Sequence, residues 1–377
     1  MIRILHVVSK LSLNSGVMNV IMNYYRHIDR TKIQFDFLYF EERNPDFKDE
    51  IKTLGGNIFF VNKPSLKSLI KTYKEFYDFF FFNSKQYTAV HLHEIYLVHF
   101  IKHFCKKYGI KHLITHAHST KYSDNPKNAL RNKIMCLGLK YSATDLFACS
   151  KAAGEFYYGK EAVDRGLVKI IPNAIDLEKY KFNQEIRDKI RKSLNIENKF
   201  VIGHIGRTSP PKNQIFLLKV FADLKRLNNN AILLIIGDGP LRKQLEEEII
   251  KLNLTDSVIL LGVRNDVPNL LMAMDVFVLP SLYEGLPVVC VEAQATGLRC
   301  ILSDNITKEV DCGNCEFISL KNKKIWKEKI VEILTKKRKY IKYNEKIKTF
   351  NIIDGTEILE SFYFSINLEG EYESYIL

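Results

Sequence analysis

What most limits the fold of this chain is an alternation that happens twice: short apolar runs of strand length are separated by stretches with helical spacing. Residues 4–8 form the first run, a polar loop ending at Gly16 follows, and 17–27 carry apolar side chains at helical intervals. Further strands are predicted over 35–40, 57–61, 89–93, 111–116 and 145–149, with helical stretches between most of them. The pattern breaks around 170–176, where Pro172 and Asn173 are turn residues, and 177–198 is rich in Lys, Glu, Asp and Arg. It then restarts, with strands at 200–205, 231–236, 258–261, 276–279 and 299–302 and helices at 214–227, 241–252 and from 288. Alternating strands and helices build parallel sheets covered on both faces. The expectation is an α/β chain of two Rossmann-like domains facing a central cleft. The first spans 1–176, a linker covers 177–198, and the second spans 199–350, with a helix at about 352–364 packing back on the first.

Composition narrows the classes of function. A chain of 377 residues that is 46% hydrophobic and 26% charged is neither disordered nor polytopic, and no run reaches the length of a membrane span. The apolar stretch at 4–8 is too short for a signal peptide and contains His6, so a cytoplasmic protein is expected. The net charge of +13 fits either an anionic partner or plain solubility. Seven cysteines without regular spacing suit a reducing compartment. Cys312 and Cys315 form one CxxC with no second pair, which reads as a surface turn rather than a zinc site.

The chemistry clusters in the second half. The strand at 200–205 runs into Gly206 and Arg207, and Lys212-Asn213 follows Pro210-Pro211. Two cations beyond the carboxyl end of a strand and before a helix make a natural diphosphate site. Gly237-Asp238-Gly239-Pro240 follows the next strand, either as a close approach to a ligand or as a plain turn. Glu284 lies in a loop after a strand and Glu292 one turn inside the next helix. Carboxylates accept hydrogen bonds from sugar hydroxyls, and the amides of Gly285, Leu286, Val288 and Val289 stand at the helix start, where Pro287 has none to give. Acids beside a phosphate-type site suggest a sugar nucleotide.

These motifs at these spacings resemble the retaining glycosyltransferases of family 4, with the GT-B fold, and the likeness extends through Ala293-Gln294-Ala295-Thr296-Gly297. The first half is similar to bacterial exopolysaccharide and capsular polysaccharide transferases through Asn14-Ser15-Gly16, Thr115-His116-Ala117-His118-Ser119 and Ile171-Pro172-Asn173-Ala174. The resemblance implies an acceptor-binding first domain and a donor-binding second one. It implies that Arg207 and Lys212 hold the donor diphosphate beside Gly206 and Gly239, and that Glu292 binds the ribose. Glu284 would contact the sugar with the amides of Gly285 and Leu286, while Val288 and Val289 complete the donor site. Gly16 would approach the diphosphate and His118 would reach the sugar. The family loop often reads Gly-Gly, and here Ser15 takes the first position. Arg264 either meets the nucleotide base or pairs with Asp266.

His91, His93, His116 and His118 invite a metal reading, but strand residues at i and i+2 share a face and line a cleft without one. The chain also lacks the Asp-x-Asp of metal-dependent transferases, so no metal and no cofactor beyond the nucleotide-sugar co-substrate is expected. His93 and His116 are candidate acceptor contacts. The segment 65–82 has apolar residues at helical spacing with Lys67, Lys71 and Lys74 on other faces. It reads as a core-facing helix with a solvated basic side, or as a peripheral contact with anionic membrane on the inner face of the cell membrane. The function expected is transfer of a sugar, from a UDP-sugar by preference, to a glycan or lipid-linked glycan acceptor in surface polysaccharide biosynthesis. The alternatives are a sugar-nucleotide epimerase of the same architecture and a basic nucleic-acid-binding protein. No interleaved aromatics and cations favour the latter, so no nucleic acid is expected as partner.

Overall fold

The computed structural model describes residues 1–64, 68–123, 125–334 and 343–374. The chain divides into two units, 1–174 with the segment from Ile352, and 175–351. In the first, β1 (Ile2–Lys10), β2 (Ile33–Glu41), β3 (Ile58–Phe60), β4 (Ala89–Leu92), β5 (His112–Ala117), β6 (Asp145–Ala148) and β7 (Val168–Ile170) form one sheet in the order β3-β2-β1-β4-β5-β6-β7. Every neighbouring pair is parallel. The central strands are buried along their length, Val7, Phe35, Phe37, Val90 and Ile114 completely, because helices cover both faces. The chain leaves β1 toward β2 on one side and returns to β4 on the other, so the crevice between β1 and β4 opens at the carboxyl ends of the strands.

The helix Gly16–His27 starts at Ser15, whose hydroxyl accepts from the Met18 amide, so the residue that replaces a glycine here caps the helix. The C-terminal helix runs Ile352–Ser374, past the predicted 364. It belongs to the first unit, and Glu360 accepts from the Asp29 amide at 2.6 Å. Gly355 has no room for a side chain: a Cβ would lie 2.8 Å from the Tyr24 hydroxyl.

The second unit holds β8 (Phe200–Ile205), β9 (Ala231–Ile236), β10 (Val258–Gly262), β11 (Val276–Leu279), β12 (Arg299–Ser303) and β13 (Cys315–Ile318), ordered β10-β9-β8-β11-β12-β13 and all parallel. Its switch point lies between β8 and β11. Phe221, Leu233 and Trp326 pack in its core, and the Trp326 indole donates to the Ser319 carbonyl at 3.0 Å.

Residues 177–198 are not a connection between units. Their helix Gln184–Ser193 is fastened to the second unit, with Arg187 donating to the Met272 and Met274 carbonyls at 2.9 and 2.7 Å. Arg191 donates to the Ala273 carbonyl at 2.9 Å, and both guanidiniums pair with Asp275. Two of the segment's charges make this clamp, while Glu185, Lys189, Lys192 and Glu197 face solvent.

Of the predicted 65–82 helix, 65–67 lie outside the described residues, and Leu69–Asn83 is helical. Phe76 and Phe80 are fully buried, as a core-facing helix requires, while Ile70 and Phe82 are exposed. Among the described residues no helix is long and apolar enough to cross a membrane.

Candidate functional site

The loops after β8 and β11 meet at the second unit's switch point. The Leu282 amide donates to the Pro211 carbonyl at 2.8 Å, and the Asn213 side chain donates to the Pro280 carbonyl at 3.1 Å. Asn213 adopts a left-handed backbone, φ 54°, which ends the turn Pro210–Lys212 and starts the helix Gln214–Lys225. Gly206 leaves space for the Lys212 stem: a Cβ there would stand 3.0 Å from Lys212 Cδ. So directed, Lys212 Nζ lies 2.6 Å from Glu284 Oε1, and the Ser281 hydroxyl donates to the same oxygen at 2.7 Å. Arg207 is exposed beside them.

The glycines after β9 pack against the loop after β8. A Cβ on Gly237 would fall 2.2 Å from the Gly206 carbonyl oxygen, and one on Gly239 would fall 2.3 Å from that of Thr208. Both are required because the two loops pack backbone to backbone, which holds Gly206 and Arg207 in place. Gly237 also has φ +119°, a conformation that L side chains rarely adopt.

The helix Val288–Ala295 starts at Pro287, with Val288 and Val289 in its first turn beside Gly285 and the buried Leu286. Glu292, one turn in, accepts from the Tyr180 hydroxyl at 2.7 Å. Burial raises its carboxyl from the ordinary 4.5 to about 7, against the opposing pull of that hydroxyl. Arg264 pairs with Asp266 through two bonds of 2.8 and 2.7 Å, the second of its two expected arrangements.

In the first unit, Gly16 opens its helix with nothing near its missing side chain. The histidines gather at the carboxyl ends of β4 and β5 and, with His6, in the middle of β1. His6 Nδ1 and His93 Nε2 are 3.0 Å apart, His93 Nδ1 and His118 Nε2 2.8 Å, and His91 Nε2 and His116 Nδ1 3.1 Å. Burial keeps all five neutral, pushing His6 and His118 down to about 3 and the others well below the ordinary value. The candidate acceptor contacts His93 and His116 lie inside the array. Both ring nitrogens of His93 are engaged by other histidines, and His116, 3% exposed, is buried. His118 remains half-buried at the edge of the array. Ring nitrogens of His6, His91 and His93, and of His93, His116 and His118, lie within 4.8 Å of one another, close enough to be considered for a metal.

Several partners were missed from sequence. Tyr180 sits in a charged segment read as a linker, and Ser281 in a loop whose acids drew attention. His6 was seen only as an interruption of an apolar run, although its register opposite His91 brings it into the array. Cys312 and Cys315 flank a turn at the exposed Gly313, φ 100°, whose amide donates to Asp311 at 2.8 Å; Cys312 itself is buried and Cys315 begins β13.

Residues 186–350 match the family model described as glycosyl transferases group 1. The chain is 38% identical over 315 residues to a protein of Bacillus subtilis (strain 168) named as a glycosyltransferase, EpsF, covering 82% of this chain and 81% of that one. It is 31% identical over 322 residues to the UDP-Gal:alpha-D-GlcNAc-diphosphoundecaprenol alpha-1,3-galactosyltransferase of Escherichia coli, covering 80% and 79%. Among solved structures, Anabaena Alr3699/HepE in complex with UDP and glucose superposes with a TM-score of 0.74 at 18% identity over 100% of both chains, a likeness of fold.

Proposed function

The chain belongs to the group 1 glycosyltransferases and has the GT-B fold, and on that premise we propose that it is a retaining transferase. It moves a sugar from a UDP-sugar to a hydroxyl of a lipid-linked glycan acceptor in surface polysaccharide biosynthesis. The observation that carries the donor side is the Lys212–Glu284 pair of 2.6 Å at the β8–β11 switch point, with Glu292 one turn into the adjoining helix. Lys212 and Arg207 bind the diphosphate and stabilise the charge that grows on it. Glu292 accepts from the ribose hydroxyls. Glu284 is released to the sugar, where the amides of Gly285 and Leu286 also donate. The bond from C1 to the β-phosphate oxygen breaks, and its electron pair goes to the diphosphate. The acceptor oxygen bonds C1 from the same face, and its proton passes to the leaving phosphate. Lys212 and Arg207 do here what a divalent ion does elsewhere, so the proposal uses no metal. In the first unit, His118 bonds a substrate hydroxyl and Gly16 supports the phosphate side.

The acceptor side is supported by the names of relatives and by one face of the first unit. Tyr73, Tyr96, Phe100 and Met135 line an open groove of about 470 Å³ between the helices Leu69–Asn83, Val98–Tyr108 and Pro126–Met135. Ile134, Leu137 and Tyr141 stand exposed near it, among Lys102, Lys133 and Lys140. An apolar surface with a basic rim suits peripheral contact with an anionic bilayer that carries the acceptor.

Thermal stabilisation against UDP, GDP, ADP and UDP-sugars tests the donor site. One nucleoside diphosphate is expected to raise Tm, and the shift is lost in Arg207→Ala and Glu292→Ala. A salt-sensitive shift with RNA and none with nucleotides would overturn the reading. Conversion of donor without acceptor would make the chain an epimerase instead.

A further inference from the structure

Five imidazoles and one phenol in the first unit form two hydrogen-bonded tracks. His6 and His91 are paired across β1 and β4, and β4 pairs with β5 with Leu92 opposite Thr115, so His6, His91, His93, His116 and His118 all project from one face. Each histidine–histidine bond runs diagonally to the neighbouring strand, one step nearer the carboxyl edge. The upper track is His6–His93–His118, with links of 3.0 and 2.8 Å. The lower is His116–His91–Tyr363, with links of 3.1 and 2.7 Å.

The inner end of the upper track settles which way its protons point. His6 Nε2 is buried without a hydrogen-bond partner among the described residues, and so is His116 Nε2. The His6 ring lies instead against Phe35 and Phe37, with centroids 4.2 and 5.5 Å away. A buried N–H with no acceptor is rarer and less tolerable than a bare lone pair. The orphan nitrogen of His6 is therefore the unprotonated one, and His6 carries its proton on Nδ1. His6 Nδ1–H then donates to His93 Nε2, which leaves His93 with Nδ1–H to donate to His118 Nε2. His118, with Nε2 occupied as an acceptor, keeps its own proton on Nδ1. The lower track ends on the buried Tyr363 hydroxyl, itself a donor, and carries no part of the argument.

We propose that His93 is a positioning residue that holds His118 in the Nδ1–H form, so that His118 offers a substrate oxygen an N–H donor and not a lone pair. The free side chain favours the opposite tautomer, so the form presented at the site is imposed by the array. This rests on the reading of His118 as a substrate contact. Ring orientation favours a relay over a shared cation: His6 and His93 stack at 14° and His93 and His118 at 27°, with nitrogens directed at each other as donor–acceptor pairs.

The test is nitrogen NMR of protein labelled only at its histidines, assigned by single substitutions and read for the protonated ring nitrogen. In the wild type His118 is expected as Nδ1–H. In His93→Phe it changes to Nε2–H, and in His93→Asn it returns to Nδ1–H, because the amide restores a donor to His118 Nε2. Sugar transfer by His93→Phe is expected to lose roughly tenfold in kcat with little change in donor KM, restored by His93→Asn. Wild-type His118 protonated on Nε2 overturns the proposal, even where His93→Phe does not fold. A tautomer unchanged in His93→Phe overturns it too. So does one equivalent of Zn²⁺ shifting the nitrogens of His93, His116 and His118 together, which would assign the cluster to a metal. A tautomer switch without a kinetic effect leaves the relay standing and overturns the substrate contact of His118.

Discussion

Lys212 and Glu284 hold each other across the switch point of the second sheet, Nζ to Oε1 at 2.6 Å, with both side chains less than one-fifth exposed. The cation proposed for the diphosphate is thus neutralised by the carboxylate proposed for the sugar. A bare nucleoside diphosphate must compete with Glu284 for Lys212, whereas a nucleotide sugar gives Glu284 a new partner. Replacing Glu284 by Gln removes the competitor and weakens the sugar contact. UDP is expected to bind Glu284→Gln about fivefold more tightly, from a pair worth about 1 kcal/mol. Sugar transfer falls by roughly a hundredfold in the same variant. Calorimetry with UDP beside a transfer assay separates the two, and weaker UDP binding would show that Glu284 does not restrain Lys212.

Glu292 makes stability and donor binding depend on pH. Its carboxyl holds a proton up to about 7 in the folded chain, against an ordinary 4.5. Between those values the folded state binds more protons than the unfolded one, so stability falls as pH rises from about 4.5 to about 7. At ~1.4 kcal/mol for each tenfold change in proton affinity, the fall reaches about 3 kcal/mol. Glu292→Gln removes that part of the slope, which denaturant titrations at a series of pH values would register. Ribose hydroxyls donate to the ionised carboxylate, so a nucleotide sugar, which itself does not titrate there, binds more tightly as pH rises through 7. A wild-type affinity that is flat across this range would count against Glu292 as the ribose contact.

The parts of the molecule that were legible in sequence are those whose environment is uniform. Strands 200–205, 231–236 and 276–279 are predicted with the bounds they have, because the centre of a parallel sheet demands largely apolar runs, with Gly203 and His204 the exceptions in the first. One edge of each sheet escaped: β7 contains Lys169 and β13 contains Glu316, since an edge strand tolerates polar residues. The helix Lys323–Leu334 was hidden by its lysines, although Trp326, Ile330 and Ile333 form its buried face. In the site, the residue types announced themselves, but their partners did not. Tyr180 and Glu292 are 112 positions apart, and only the fold brings the hydroxyl to the carboxylate. His6 looked like a flaw in a strand until register set it beside His91.

Asp275 is the residue through which the charged segment 177–198 becomes part of the second unit. Its carboxylate accepts from the Val201 amide at 2.7 Å and pairs with Arg187 and with Arg191, the latter buried at 6% exposure. Asp275→Ala leaves two guanidiniums enclosed without their anion, at a cost of about 3–5 kcal/mol. In a unit of this size Tm is expected to fall by roughly 10 °C. Nucleotide binding should weaken as well, because the same segment carries Tyr180 to Glu292. A Tm within a degree or two of the wild type would mean that the segment is a loosely attached connection after all.

Membrane contact through the first unit has a direct physical test. Leu137 and Ile134 are 66% and 58% exposed beside the groove, and Lys140 lies over the Tyr141 ring at 5.1 Å. Burying one such leucine or isoleucine in a bilayer interface yields about 1.5–3 kcal/mol, and each nearby lysine adds about 1 kcal/mol against an anionic surface. The wild type is expected to float with vesicles containing phosphatidylglycerol and to remain in solution with pure phosphatidylcholine. Ile134→Glu with Leu137→Glu should cut flotation by tenfold or more, since it removes apolar area and adds repulsion. Transfer to a short, water-soluble acceptor analogue should be unaffected, as neither residue belongs to the donor or histidine sites. Flotation that is equal for wild type and double variant would place any lipid contact elsewhere on the chain.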